Sequence, residues 1–252
     1  MLSAIVLAGG GPEPRLAVGL PNKAFLEIAG QPLIRRVVGA LQGCAAVERI
    51  VVVGPVDALA AVVPSGVQLV PEQVSMVQNI EAGVACLAGA ERVLAVASDL
   101  PLLTADAISV FLDRCPDDAD LCYPVIPQTV IEQRFPGARK TYVKVADGTF
   151  CGGSVLVFAV RVLDRVRPLV EQIIAARKKP WMLAQLFGWA TVMKFATGRL
   201  SIADVEARAL DVTGLRGRAV IVESPELALD VDADRPENLA VFTAALSGGA
   251  RR

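Results

Sequence analysis

The sequence predicts an α/β fold of three layers, with a mostly parallel central sheet, an added β-hairpin and a helical insertion. Three observations predict it. Short β-branched runs alternate with helical patterns through the first half, the rhythm of strand–helix units whose strands lie side by side. Several of these strands are apolar at every position, as strands covered on both faces must be. The chain has 252 residues, 54% of them hydrophobic, enough to bury such a sheet without disulfides or a structural metal.

The elements follow in order. Ala4–Leu7 is an apolar strand that breaks into Gly9-Gly10-Gly11. Pro32–Leu41 sets Leu33, Ile34, Val37, Val38 and Leu41 on one helical face. Arg49–Val53 and Val67–Val70 read as strands, and Met76–Leu87 as a helix. Arg92–Ala97 is a further strand, and Thr104 offers a capping hydroxyl to a helix through Leu112. Thr141–Phe150 alternates and contains Asp147-Gly148, a hairpin signal. Gly153–Phe158 is another strand, followed by a helical block from Leu163 to Leu210 that Pro168 and Pro180 break. A strand at Arg218–Val222 and a helix at Pro236–Leu246 close the pattern, which reads as one domain.

Composition narrows the function. Lys plus Arg is 25 and Asp plus Glu is 26, so no global charge draws the chain to nucleic acid. With no histidine, His-based general-base and triad chemistry is excluded. The five cysteines, Cys44, Cys86, Cys115, Cys122 and Cys151, form no CxxC pair. That pattern argues against zinc, for small core residues, and for a reducing cytoplasm. No secretory leader is visible. The stretch Trp181–Met193 is too short to span a bilayer. It reads first as a buried or lid helix; Arg177-Lys178-Lys179 just before it make an interfacial helix the alternative.

Three segments carry chemistry. Arg15 and Lys23 are the only cations between Met1 and Gln31. A glycine loop with two cations on one connection can surround a polyphosphate, N–H groups on one side and point charges on the other; the alternative is two solvated charges. In Ala97-Ser98-Asp99-Leu100-Pro101 an apolar strand ends on a carboxylate, placed to hold a hard cation or simply to shape a turn. In Asp230-Val231-Asp232 the carboxylates alternate, so only one should face a site, with Asp234 in the turn beyond.

"AIVLAGGG…PNKAFLEIAGQPLI", "VASDLPLLT" and "ALDVDADRPENL" together resemble the nucleotidyltransferase superfamily, which includes sugar-phosphate nucleotidyltransferases and molybdenum-cofactor guanylyl- or cytidylyltransferases. The resemblance covers nearly the whole chain and implies a glycosyltransferase-A-like, Rossmann-like fold. It implies Mg²⁺-dependent transfer of NMP from an NTP to a phosphorylated or hydroxyl acceptor, with release of pyrophosphate. Residues 1–115 would be the NTP half and 116–252 the acceptor half, with the insertion over about 163–210. On this likeness Leu7, Ala8, Gly9 and Gly10 would wrap the base and ribose, joined by Ser75, Asn79 and Ser98. Lys23 and Arg15 would meet the phosphates. Asp99 and Asp232 would hold Mg²⁺, with Asp230 and Asp234 as rivals for the second place. Gly152 and Gly153, with Lys144, would lie beside the acceptor. The chain departs from the family in "GPEP" between Gly10 and Arg15, in Leu16 after Arg15, and in the length of "DVDADRPENL".

Acceptor specificity has two readings. Arg139, Lys140, Lys144 and Arg177 to Lys179 either receive an anionic acceptor or form solvated faces. Trp181, Met182, Trp189 and Met193 recur at near-helical spacing, as core, as a cover over an apolar acceptor, or as a homodimer face. Two other functions fit the same fold. One is a nucleotide- or sugar-binding module without turnover. The other is a nucleotide-sugar glycosyltransferase, whose DxD would normally lie in mid-chain.

Overall fold

The computed structural model describes residues 2–16, 18–163, 165 and 188–249. A nine-stranded mixed sheet runs through it, in the order β5 (Gln68–Pro71), β4 (Val47–Gly54), β1 (Leu2–Leu7), β6 (Arg92–Ala97), β10 (Val155–Ala159), β7 (Leu121–Pro127), β9 (Gly148–Gly152) and β8 (Val143–Val145), with β11 (Gly217–Ile221) paired to β7. Its parallel part is β1 (Leu2–Leu7), β4 (Val47–Gly54), β5 (Gln68–Pro71) and β6 (Arg92–Ala97). A separate two-stranded ribbon joins β2 (Glu27–Ile28) to β3 (Gln31–Pro32).

The all-apolar strands are explained by cover on both faces. Ala4, Val6, Val52, Leu94 and Val96 point to one side. There α1 (Leu33–Gln42), α4 (Ala105–Asp113) and α8 (Asn238–Gly249) supply Leu33, Val37, Phe111 and Phe242. Ile5, Val51, Val53, Val93 and Ala95 point to the other side, under α3 (Met76–Ala85). That helix packs unusually close, because a Cβ on Gly83 would stand 2.8 Å from the Ile5 side chain. Thr104 caps α4 by accepting from Ala107 N at 3.1 Å.

The second half reverses direction. β10 (Val155–Ala159) runs antiparallel to β6 and β7 (Leu121–Pro127), and β8 (Val143–Val145) and β9 (Gly148–Gly152) form the expected hairpin. β11 (Gly217–Ile221) lies parallel to β7. Sequence periodicity misses β7, together with the short helices α2 (Val56–Ala60) and α5 (Gln128–Arg134). Leu121–Pro127 holds two prolines, which argue against a central strand. The sheet tolerates Pro124 because it falls where the antiparallel partner changes from β10 to β9. Of the expected helical insertion, the described residues hold α6 (Trp189–Ala196) and α7 (Ile202–Thr213). Arg177, Lys178, Lys179, Trp181 and Met182 lie outside the described residues.

Candidate active site

Strand order locates the site. β1 is flanked by β4 on one side and β6 on the other, so the chain's progress across the sheet reverses there. The crevice beyond the carboxyl ends of strands at such a switch is where open α/β sheets bind ligands. Leu7 is in register with Ala97 of β6 and with Val53 of β4. The glycine loop therefore emerges beside Ser98-Asp99 on one side and beside the β5 exit at Glu72 on the other. Ala8 N donates to Val53 O at 2.8 Å, and Glu72 N to Gly54 O at 3.2 Å.

A cleft of about 740 Å³ occupies this position. One wall is Gly9, Gly10 and Gly11, another is Glu72 through Met76 with Asn79, and the floor holds Lys23, Ser98 and Asp99. A Cβ on Gly10 or Gly11 would meet nothing within 4 Å, and Gly10 sits at φ +114°, a conformation that side-chain-bearing residues rarely adopt.

Asn22 fixes the loop. Its buried side chain donates to Ala8 O at 2.8 Å and to Gly10 O at 3.4 Å, while its Oδ1 accepts from Ala24 N at 2.9 Å. That last bond caps the single helical turn carrying Lys23. One amide thus ties the glycine loop to the lysine. Lys23 Nζ donates to Asp99 Oδ2 at 2.7 Å and to Val231 O at 2.8 Å, and Val231 N donates to Asp99 O at 2.9 Å. Burial raises the pKa of Asp99 above its ordinary value; Lys23 opposes this and Asp230 adds to it. For Lys23 burial acts downward, but Asp99, Asp230 and Asp232 outweigh it and hold the ammonium above its usual range.

Each aspartate of the late segment has its own cation. Asp230 is paired with Lys140. Asp232 accepts from Arg235 at 2.8 Å and from Asp234 N at 2.9 Å. Asp234 faces outward and pairs with Arg15 at 2.8 Å. Arg15, also bonded to Glu13 at 3.1 Å, is not among the residues lining the cleft.

Other expected residues divide between the cleft and the antiparallel half of the sheet. Ser75 caps α3, accepting from Gln78 N at 3.2 Å. Asn79 accepts from Gln73 N at 2.6 Å and so holds the Glu72–Val74 turn. Lys144, Gly152 and Gly153 are not among the residues lining the cleft: Lys144 and Gly152 stand on the β8–β9 hairpin, and Gly153 just past it, next to Ser154, whose carbonyl accepts from Ala97 N at 3.0 Å. Gly152 makes room for the Tyr123 hydroxyl, which would stand 2.2 Å from a Cβ there, and Gly153 for the Pro124 ring. Cys151 beside them is buried, which pushes its thiol up to about 11 and keeps it protonated at neutral pH.

Sequence reasoning did not single out Glu72, Asn22 or Arg235. Glu72 Oε2 accepts from Gly10 N at 2.8 Å and would lie 2.7 Å from a Cβ on Gly9. Its only sequence signal was a carboxylate just past a short strand, too common to stand out.

Residues 4–173 match the model of the MobA-like NTP transferase domain. The chain belongs to the MobA-like NTP transferase family. It is a transferase enzyme, and nucleotidyl transfer is its general reaction. A structure titled as a hypothetical transferase from Thermus thermophilus is 37% identical over 94% of this chain and 99% of that one, with a TM-score of 0.83. A CMP:2-keto-3-deoxy-manno-octonic acid synthetase complexed with CTP aligns at 16% identity over 99% of this chain and 100% of its own, with a TM-score of 0.61. A nucleotidyl transferase from Methanothermobacter aligns at 19% identity over 97% and 99%, with a TM-score of 0.54. These last two share the fold. No curated protein matches the chain in sequence.

The donor set of this transferase suits a hard divalent cation, which asks for one or two carboxylates plus phosphate oxygens. Asp99 is 9% exposed at the end of β6, with Asp230 and Asp232 near enough to Lys23 to act on its charge. Among the described residues no three His, Cys, Asp or Glu side chains converge as a closed metal cage.

Proposed function

We propose that the protein is a Mg²⁺-dependent nucleotidyltransferase that moves NMP from an NTP onto a phosphorylated or hydroxyl-bearing small molecule and releases pyrophosphate. The observation that carries this reading is the convergence of the bare glycine loop, Lys23 and Asp99 on one cleft. The backbone from Leu7 to Gly10 would lie against the nucleoside, with Ser75, Asn79 and Ser98 around the base and ribose. Gly10 and Gly11 leave the open space that a ligand needs.

Lys23 carries three donor hydrogens and uses two on Asp99 and Val231. The third is left for a phosphate oxygen, where the ammonium would stabilise charge building at the reacting phosphorus. Asp99 and Asp232 would hold the metal, which when bound neutralises phosphate charge; Asp230 is the rival second ligand. Arg15 would reach the phosphates by leaving Glu13 and Asp234. An anionic acceptor needs no general base, which suits a chain without histidine. Lys144, Gly152 and Gly153, which do not line the cleft itself, would lie beside an acceptor that enters from the hairpin side. Five free cysteines fit a reducing cytoplasm.

Calorimetric titration of ATP, GTP, CTP and UTP, with and without Mg²⁺, tests the reading on the wild type and Asp99→Asn. Expected is metal-dependent binding of one nucleotide, weakened by the substitution, and an acceptor screen with that nucleotide that releases pyrophosphate. Binding that ignores both metal and substitution would overturn the assignment.

A further inference from the structure

A second cavity, of about 410 Å³, lies between α1, α8 and the loop that follows β6. It shares no lining residue with the glycine-loop cleft, although Pro101 in its wall stands only two places after Asp99. Its charged groups are Arg35, Arg36 and Glu226. Glu226 is already matched, since its two carboxylate oxygens accept from Arg134 at 2.5 and 3.5 Å. Among the described residues, neither Arg35 nor Arg36 forms an ion pair. The cavity therefore holds two positive charges with no negative charge answering them.

Arg36 is held in place for this. Its Nη2 donates to Ile28 O at 2.5 Å and to Ala29 O at 3.3 Å. The turn that offers these carbonyls has Ala29 at φ +50°, the only non-glycine among the described residues in the left-handed region, and such strain gathers where a structure serves a ligand. The Nε of Arg36 is buried and bonded to nothing, an uncommon state for a buried donor. Burial is the influence that acts on its charge, and it lowers the pKa; no carboxylate opposes it. Two neighbouring guanidinium groups suit a phosphate, whose oxygens they can take in pairs. The rest of the wall is apolar, with Leu102, Leu103, Phe135 and Leu246, and the volume is that of a small-molecule site. We propose that this cavity binds a phosphate monoester with an apolar body, at a site separate from the glycine-loop cleft.

Phenyl phosphate is the probe, followed by saturation-transfer NMR on the full chain at low salt. Expected is binding that salt weakens, with inorganic phosphate and phenol each at least about tenfold weaker, because each lacks half of the recognition. Arg35→Gln and Arg36→Gln should each reduce the affinity by at least about tenfold while circular dichroism stays unchanged. Leu246→Glu keeps both arginines but sets a carboxylate in the wall, and should abolish binding. Lys23→Met should leave the arginine-dependent binding in place, since the cavity is not the cleft. No binding of phenyl phosphate, binding that Lys23→Met removes, binding indifferent to both arginines, or equal affinity for inorganic phosphate would overturn the proposal. So would a dimer, seen by light scattering, that Arg35→Gln dissociates, since a second copy would then occupy the cavity.

Discussion

Replacing Lys23 by methionine keeps the unbranched stem and removes the ammonium. In metal-free protein the buried Asp99 carboxylate then loses the cation 2.7 Å away. Deleting one partner of a fully buried ion pair costs about 3–5 kcal/mol. The Lys23 side chain is 35% exposed, so water screens part of that loss. The expected cost is about 1.5–3 kcal/mol, the range for a hydrogen bond to a charged group. In a chain of this size each kcal/mol moves Tm by about 2–4 °C, so the midpoint should fall by roughly 3–12 °C. Asp99→Asn keeps the shape and an acceptor for Lys23, so it should cost less. The double variant should fall short of the sum of the singles by about 1 kcal/mol. Scanning calorimetry in the presence of a chelator measures this cycle. On the catalytic side, Lys23→Met should lower kcat/KM for pyrophosphate release by about 10²–10³-fold, the effect of removing one preorganised donor from developing charge. Additivity within about 0.3 kcal/mol would show that the two side chains do not pair. An unchanged kcat/KM would show that Lys23 does not face the reacting phosphate.

Asn22→Ala should destabilise the protein by about 1–3 kcal/mol, because it strips the buried Ala8 carbonyl and Ala24 N–H of their partner. It should also weaken NTP binding; denaturant titration and calorimetry read the two effects, and intact binding would mean the loop holds its shape without the amide. Gly83→Ala gains about 1 kcal/mol of helix propensity but drives a methyl to within 2.8 Å of Ile5 in a packed core, an overpacking cost of about 1–3 kcal/mol. Net loss in urea unfolding is expected, and net stabilisation would show that α3 can shift. Asp204 is held at about 2, below its ordinary 3.8, by hydrogen bonds from Lys194 and the Ser201 backbone. Its contribution is therefore present above about 3.8 and lost as pH falls through about 2. The Tm gap between wild type and Asp204→Ala should be full at neutral pH and close in that window; a gap unchanged at pH 2 would refute the pairing.

The local sequence already determined the parallel half of the fold. β1, β6 and the second half of β4 are apolar at nearly every position because both of their faces are covered, and their alternation with helical patterns is what separates a parallel sheet from a sandwich core. Thr104 was legible as a cap because capping needs only a hydroxyl and a neighbouring turn. Gly9 to Gly11 and Asp99 were legible as candidates because each stands just past a strand, where α/β sheets place ligands, and Lys23 because it is a cation on the glycine loop's own connection. Leu121–Pro127 was not legible as a strand, because a proline is tolerated there only through a change of partner that lies far away in sequence.

Long-range placement likewise decided the rest of the site. Glu72 reaches Gly10 across 62 residues and Lys140 reaches Asp230 across 90, and neither pairing leaves a periodic trace. Asn22 became the hinge of the site only once folding had brought Ala8, Gly10 and Ala24 around one amide. Arg15 and Lys23, equivalent as charges in the sequence, were separated by tertiary structure alone: one faces Asp234 at the surface, the other a buried carboxylate. Hydrophobic pattern is a local property and fixes which faces are buried; the pairing of polar groups depends on which distant backbone segments that burial brings into register.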